Sequence, residues 1–184
     1  MQVEINTGTG LIDGYRVNGV EYLERDSCRL LCQDDTNSPW GMRGKTFGER
    51  TFQLLSPYQG SEFSGIEGRV IPSVRVIEDG EVRTVVEAVF GLSNSRAWLR
   101  YLLPKEGGGF DIEAGVFFGE KNQSLKLRLN TTLAGDSDFV GQVPFGRDSL
   151  AGEGAGTVSQ KWLALTGGPK TLAVINAGPY GASR

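Results

Sequence analysis

The chain has 184 residues, 19 Lys and Arg against 22 Asp and Glu, a formal net charge of -3 and no histidine. That length suits one domain with a real core, and charge spread without a like-signed run gives no footprint for nucleic acid or an anionic membrane. The missing histidine removes the usual general base, the commonest metal ligand and the middle member of most nucleophilic triads, and two cysteines alone cannot complete a zinc site.

Along the chain, strand and turn signals recur about every 10 to 20 residues and helical periodicity is almost absent, which predicts an all-β domain. "VEINTGTGLIDGYRV" reads as a first hairpin turning at "NTGTG", and "YRVNGVEYL" as a second, with Asn18-Gly19 suited to the positive φ angles of a type I′ turn. Cys28 and Cys32 in "SCRLLCQ" would sit about 13 Å apart on a strand, beyond disulfide reach, and are read as small buried residues. "QDDTNSPWGMRGKTFGER" lacks a strand pattern and is expected to be a functional or mobile loop. "SVRVIEDGEVRTVVEAVF" predicts strands near Ser73 to Ile77 and Glu81 to Phe90, with Asp79-Gly80 as the turn.

Further on, "RAWLRYLLP" and "FDIEAGVFF" flank the glycine turn "KEGGG", and "FDIEAGVFFGEKNQSLKLRLNTTL" is read as a hairpin through "GEKNQS". "GRDSLAGEGAGTVSQ" is expected to be irregular, and its "GEGAG" lacks the Lys-Ser/Thr of a phosphate loop. "KWLALTGGPKTLAVINAG" predicts a last hairpin turning at Gly167 to Lys170. Trp98 and Trp162 lie inside alternating runs and are read as core or sheet-face residues. No stretch reaches the roughly 18 apolar residues of a spanning helix, and the N-terminus has no signal-peptide pattern, which favours a cytoplasmic setting.

Candidate chemistry is thin. Asp34 and Asp35 invite a paired-carboxylate reading, but neighbours on a strand point to opposite faces, so they do not make a catalytic pair by themselves. Two readings stand: a solvated loop, or a polar ligand contact helped by Trp40 in "SPWG", because an indole beside carboxylates suits a sugar ring. Arg147 in "PFGRD" follows a strand end and reads either as a clamp for a hydroxyl or carboxylate or as a surface partner of Asp148. The sequons at Asn122 and Asn130 carry no argument without secretion.

From about Val74 onward, "VIEDGEVRTVVEAVF", "FDIEAGVFFGEKNQSLKLRL", "VPFGR", "QKW" and "LAVINAGPYGAS" follow in an order that resembles the C-terminal β-sandwich region of glycoside hydrolase family 38, the α-mannosidases. "TGLIDGYRVNGVEYL" resembles the hairpins that precede it, and "DDTNSPWG" an Asp-rich loop that faces the catalytic domain. The resemblance implies a large antiparallel β-sandwich of the galactose-mutarotase-like supersandwich type, covering 1–184 as one excised or incomplete domain. It implies a non-catalytic part of a retaining α-mannosidase, whose zinc, histidine and aspartate ligands and nucleophilic aspartate belong to a separate α/β barrel. No catalytic residue or metal ligand carries over, no cofactor is expected in this chain, and zinc belongs to the missing barrel. Asp34, Asp35, Trp40 and Arg147 become candidates for the substrate rim. The implied partners are the barrel and helical domains of the same polypeptide and an α-mannoside glycan, with homodimers formed through an exposed docking face. A free-standing carbohydrate-binding module, with Trp40, Tyr58 and Tyr180 as its aromatic platform, is the rival. An aldose epimerase on the same sandwich is disfavoured by the absence of histidine.

Overall fold

The computed structural model describes residues 1–35, 48–133, 135, 137–150, 152 and 156–184. The chain is mostly strand, arranged in antiparallel sheets, as the turn spacing predicts. It forms two compact units, one of Met1–Asp34 with Gly48–Asn130 and one built on Thr131–Arg184. Among the described residues no helix is long and apolar enough to cross a membrane.

In the first unit, β1 (Gln2–Ile5), β2 (Ile12–Val17) and β3 (Val20–Leu23) form a meander. Its second turn is the predicted one, with φ of 50° at Asn18 and 80° at Gly19. β4 (Arg29–Asp34) is flanked by β5 (Arg50–Thr51) on one edge and a later strand on the other. After β6 (Gln53–Leu54) comes α1 (Pro57–Phe63), one short helix where helical periodicity predicts none. Its start is written locally: Ser56 caps the Gln59 amide, the Gln59 side chain returns to the Ser56 amide, and Pro57 opens the first turn.

β7 (Val74–Asp79), β8 (Arg83–Leu92), β9 (Ser95–Pro104) and β10 (Asp111–Phe117) follow, and with β6 they make the largest sheet. Two expectations need correction here. The turn between β7 and β8 is centred on Glu81 and Val82, not Asp79-Gly80, because Asp79 pairs with Thr84 and the Gly80 amide bonds to the Arg83 carbonyl. A bulge at Ile77 shifts the register by one residue on the way to that turn, and Asp79 instead accepts from Lys105 Nζ at 2.7 Å and Thr84 Oγ1 at 2.8 Å. Nor do β10 and β11 (Gln123–Arg128) form a hairpin: β11 crosses to pair with β4. Alternation fixes which face each strand buries but not which strand it meets.

β8 and β9 pair over ten residues without a bulge. Their inner face carries Ala88, Phe90, Leu99 and Tyr101, all fully or nearly fully buried with Ile12, Leu31 and Cys32. Cys28 and Cys32 are free and buried, as the sequence predicts, although Cys28 lies just before β4 with φ of 67°. The first meander docks on this core through the tight turn ending at Gly10, whose carbonyl accepts from Tyr101 Oη at 2.8 Å.

The second unit carries β12 (Asp138–Val143), β13 (Gly146–Ser149), β15 (Trp162–Gly167) and β16 (Lys170–Ile175) in the order β13-β12-β15-β16. β14 (Thr157–Val158) and β17 (Gly181–Ala182) pair beside them. The hairpin turning at Gly168 is the predicted one. The stretch expected to be irregular from Gly146 contributes β13 and β14, short exposed strands whose side chains bear no apolar alternation for a sequence reading to find.

Gly10 makes a close backbone approach to this core. At φ of 73°, a Cβ there would lie 2.9 Å from Ala88, Leu54 and Phe90, whereas one at Gly19, φ of 80°, would meet nothing within 4 Å. Gly10→Ala is expected to lower the unfolding free energy by about 3 kcal/mol and Gly19→Ala by about 1 kcal/mol, read from urea unfolding of the two variants.

Candidate functional site

Asp34 closes β4, and the chain returns to it at Gly48. The two meet closely: a Cβ on Gly48 would come within 2.5 Å of Asp34 Oδ2, and φ there is 77°. Glycine is therefore required twice over, for the left-handed backbone and for room beside the carboxylate. Opposite Asp34 on β11 stands Gln123, whose amide nitrogen donates a short hydrogen bond to Asp34 Oδ1. Gln123 Oε1 is buried without a hydrogen-bond partner among the described residues. The described ends of the segment that the sequence reads as a functional or mobile loop thus meet at one carboxylate.

Two residues back along β4, Cys32 pairs with Arg50 of β5. Arg50 Nη2 donates to Glu120 Oε2 at 2.9 Å and Nη1 to Ser93 Oγ at 3.2 Å. Glu120 comes from the crossing between β10 and β11, and its other oxygen accepts from the Asn94 amide at 3.1 Å and Ser95 Oγ at 3.0 Å. Ser95 Oγ accepts in turn from the Gly119 amide. This network joins the β8–β9 turn, the crossing segment and β5, and it fixes where β11 leaves one sheet for the next.

Electrostatics make the network an anchor. The hydrogen bond from Arg50 holds the Glu120 carboxyl below the usual range, with Ser95 and Asn94 adding to the effect, and Glu120 holds the Arg50 guanidinium more firmly charged. Burial raises the Cys32 thiol, partly offset by Arg50, and pushes the Cys28 thiol up to about 12. Neither is a thiolate near neutral pH. Among the described residues there is no group of three or more potential metal ligands. The cluster can position backbone and accept hydrogen bonds from hydroxyl groups; Glu120 has no proton to give at neutral pH.

The other sequence-predicted residues fall elsewhere. Asp35 is exposed, and Trp40, with most of "DDTNSPWG", lies outside the described residues, as do Glu153 to Ala155 of "GEGAG". Arg147 lies on β13 of the second unit, opposite Gln142, with an exposed side chain. The Asp148 carboxylate accepts from the Ser149 amide, and no ion pair joins it to Arg147 among the described residues. Tyr58 on α1 and Tyr180 before β17 are exposed. Arg50, Glu120 and Gln123 escape a sequence reading because they come from three separated segments, and no spacing links them. No protein-family model matches the chain, and no curated protein matches it.

Glu120 gives this site a pH signature. Its folded pKa lies below the unfolded carboxyl value of about 4.3, so its stabilisation is present above that pH and fades as pH falls through the folded value. Glu120→Gln is expected to lower the urea midpoint at pH 7, and its difference from the parent is expected to shrink at pH 3.

Proposed function

We propose that this chain is a non-catalytic β-sandwich region of a carbohydrate-active enzyme, of the family 38 α-mannosidase kind that its motifs resemble. In this reading the sandwich is of the galactose-mutarotase-like type, and its work is to pack against a zinc-dependent catalytic barrel and hold loops at the rim of the active site. The observation that carries the reading is the clamp at Asp34. β4, β11 and the approach to β5 bring Asp34, Gln123 and Gly48 together, and the ion pair of Arg50 and Glu120 stands beside them, so that the carboxylates hold a loop root and are not poised for proton transfer.

The absence of histidine supports the same division of labour, because the zinc and its usual ligands must then come from another part of the polypeptide. Asp34 and its neighbours supply hydrogen-bond acceptors to hydroxyls at the rim; the oxocarbenium chemistry takes place on the barrel. Substrate is an α-mannoside, and the docking partners are the barrel and helical domains of the same protein.

The test is turnover of an aryl α-mannoside with added zinc, by this chain alone and by the chain joined to its native N-terminal barrel. Activity is expected only in the joined protein, with Asp34→Asn in that protein raising KM several-fold and leaving zinc content unchanged. Turnover by the chain alone, or a joined protein indifferent to α-mannosides, overturns the reading.

A further inference from the structure

The chain contains one Asn-Gly pair, Asn18-Gly19, and two Asp-Gly pairs, Asp13-Gly14 and Asp79-Gly80. In such a pair the main-chain nitrogen of the glycine can attack the side-chain carbonyl carbon of the residue before it, because glycine puts no Cβ in the way and turns freely. Whether that attack takes place in a folded chain depends on what holds the two groups. The fold holds these three pairs very differently.

Both aspartate pairs are locked. Asp79 accepts from Lys105 Nζ at 2.7 Å and Thr84 Oγ1 at 2.8 Å, and the Gly80 amide donates to the Arg83 carbonyl at 3.0 Å. Asp13 lies inside β2, where its carboxylate accepts from Asn6 Nδ2 at 2.9 Å and the Asp26 amide at 3.4 Å, and Gly14 is registered opposite Glu4. An ionised carboxylate is in any case a poorer target for a nucleophile than a neutral amide. The remaining asparagines all precede a residue that carries a side chain, and the amides of Asn6 and Asn130 are also tied, the latter donating to the Arg25 carbonyl at 2.9 Å.

Asn18 is held by none of these devices. It and Gly19 are the two residues between the paired Val17 and Val20, both are exposed, and a Cβ on Gly19 would meet nothing within 4 Å. Among the described residues no hydrogen bond engages the Asn18 side chain or the Gly19 amide. The strand that follows, β3, has four residues and lies at the edge of its sheet, so the hairpin tip opens by releasing a single pair and the Asn18 main chain can then rotate into the attacking geometry.

We infer that Asn18 is a site of spontaneous covalent modification, converted through a cyclic imide into aspartate and isoaspartate. The Gly19 nitrogen bonds to Asn18 Cγ, its proton passes to the departing side-chain nitrogen, ammonia leaves, and a five-membered ring closes through the Asn18 main-chain carbonyl. Water then opens the ring. Breaking the bond to Cγ restores the ordinary main chain with an aspartate at position 18; breaking the bond to the main-chain carbonyl carbon leaves the chain running through Cβ and Cγ, one methylene longer. The two products have different consequences. Asp-Gly suits the same type I′ turn, so the aspartate form keeps the hairpin. The isoaspartate form lengthens a two-residue turn and works against the pairing of β3, which sets the Glu21 carboxylate on the Tyr15 amide at 2.8 Å and buries Leu23. The inference does not rest on the α-mannosidase reading.

The test is to age the whole folded chain in mildly alkaline buffer made with oxygen-18 water, digest it with trypsin in ordinary water, and follow the peptide from Val17 to Arg25, "VNGVEYLER", by mass spectrometry. That peptide is expected to divide into asparagine, aspartate and isoaspartate forms, each product carrying one oxygen-18, at no less than about a tenth of the rate of the same peptide free in solution. The peptides holding Asp13-Gly14 and Asp79-Gly80 are expected to show no isomer in that time. Asn18→Gly, which still accepts a positive φ but offers no side-chain carbonyl, is expected to abolish the change. Asn18→Asp is expected to keep the parent's urea midpoint, and the isolated isoaspartate form to have a lower one. Conversion slower than a tenth of the free peptide's rate, or none, overturns the site. Isomer at Asp79 overturns the role given to its hydrogen bonds, and an isoaspartate form with the parent's midpoint overturns the effect on β3.

Discussion

The ten-residue pairing of β8 with β9 is the constraint on which the first unit depends. Because it runs without a bulge, residue parity is preserved from Arg83 to Pro104, and each residue's face follows from its number. One parity supplies Ala88, Phe90, Leu99 and Tyr101 to the core. The other supplies Glu87, Arg96, Trp98 and Arg100 to the outer surface. A single slipped residue would exchange the two sets and put three charges into the core.

That same hairpin organises its surroundings through polar contacts at its ends and edges. Its turn, at Ser93 and Asn94, is held by Glu120, and Glu120 is held by Arg50. On the outer face, Arg75, Glu87, Arg100 and Glu113 stand in register on four successive strands, so charges alternate across the sheet. Glu87 is the costly member, since a nearly buried carboxylate must be compensated; Arg75 and Arg100 do so at 2.5 and 2.7 Å, and Arg75 is tied further to Ser64. Ion pairs of this kind give little net stability but fix alignment.

Glycines do complementary work at a few sites. Gly10 lets a turn reach the core, Gly48 lets the chain come back against Asp34, and Gly115 leaves space for the Trp98 indole. The first two also hold positive φ, so at these positions backbone freedom and absence of a side chain are needed together.

Much of the first unit was legible in the sequence for local reasons. Alternation marked the strands and their buried faces, Asn18-Gly19 marked a type I′ turn, and the two cysteines read as buried thiols. The turn after β7 was misplaced by two residues because an Asp-Gly pair is a propensity, and the bulge at Ile77 with the ion pair of Asp79 to Lys105 outweighed it. The helix signal "SPYQ" was present but too short to show as periodicity. Of the candidate site, Asp34 was visible as an acid beside a loop, while Arg50, Glu120 and Gln123 were ordinary surface residues until the crossing of β11 to β4 gathered them. The sequence by itself determined that the chain is all-β and lacks the histidine that neutral-pH acid-base chemistry most often uses. Only the tertiary structure decided which strands are neighbours, because pairing is settled by long-range packing and polar contacts that no local pattern encodes, and with it which charges meet at Asp34.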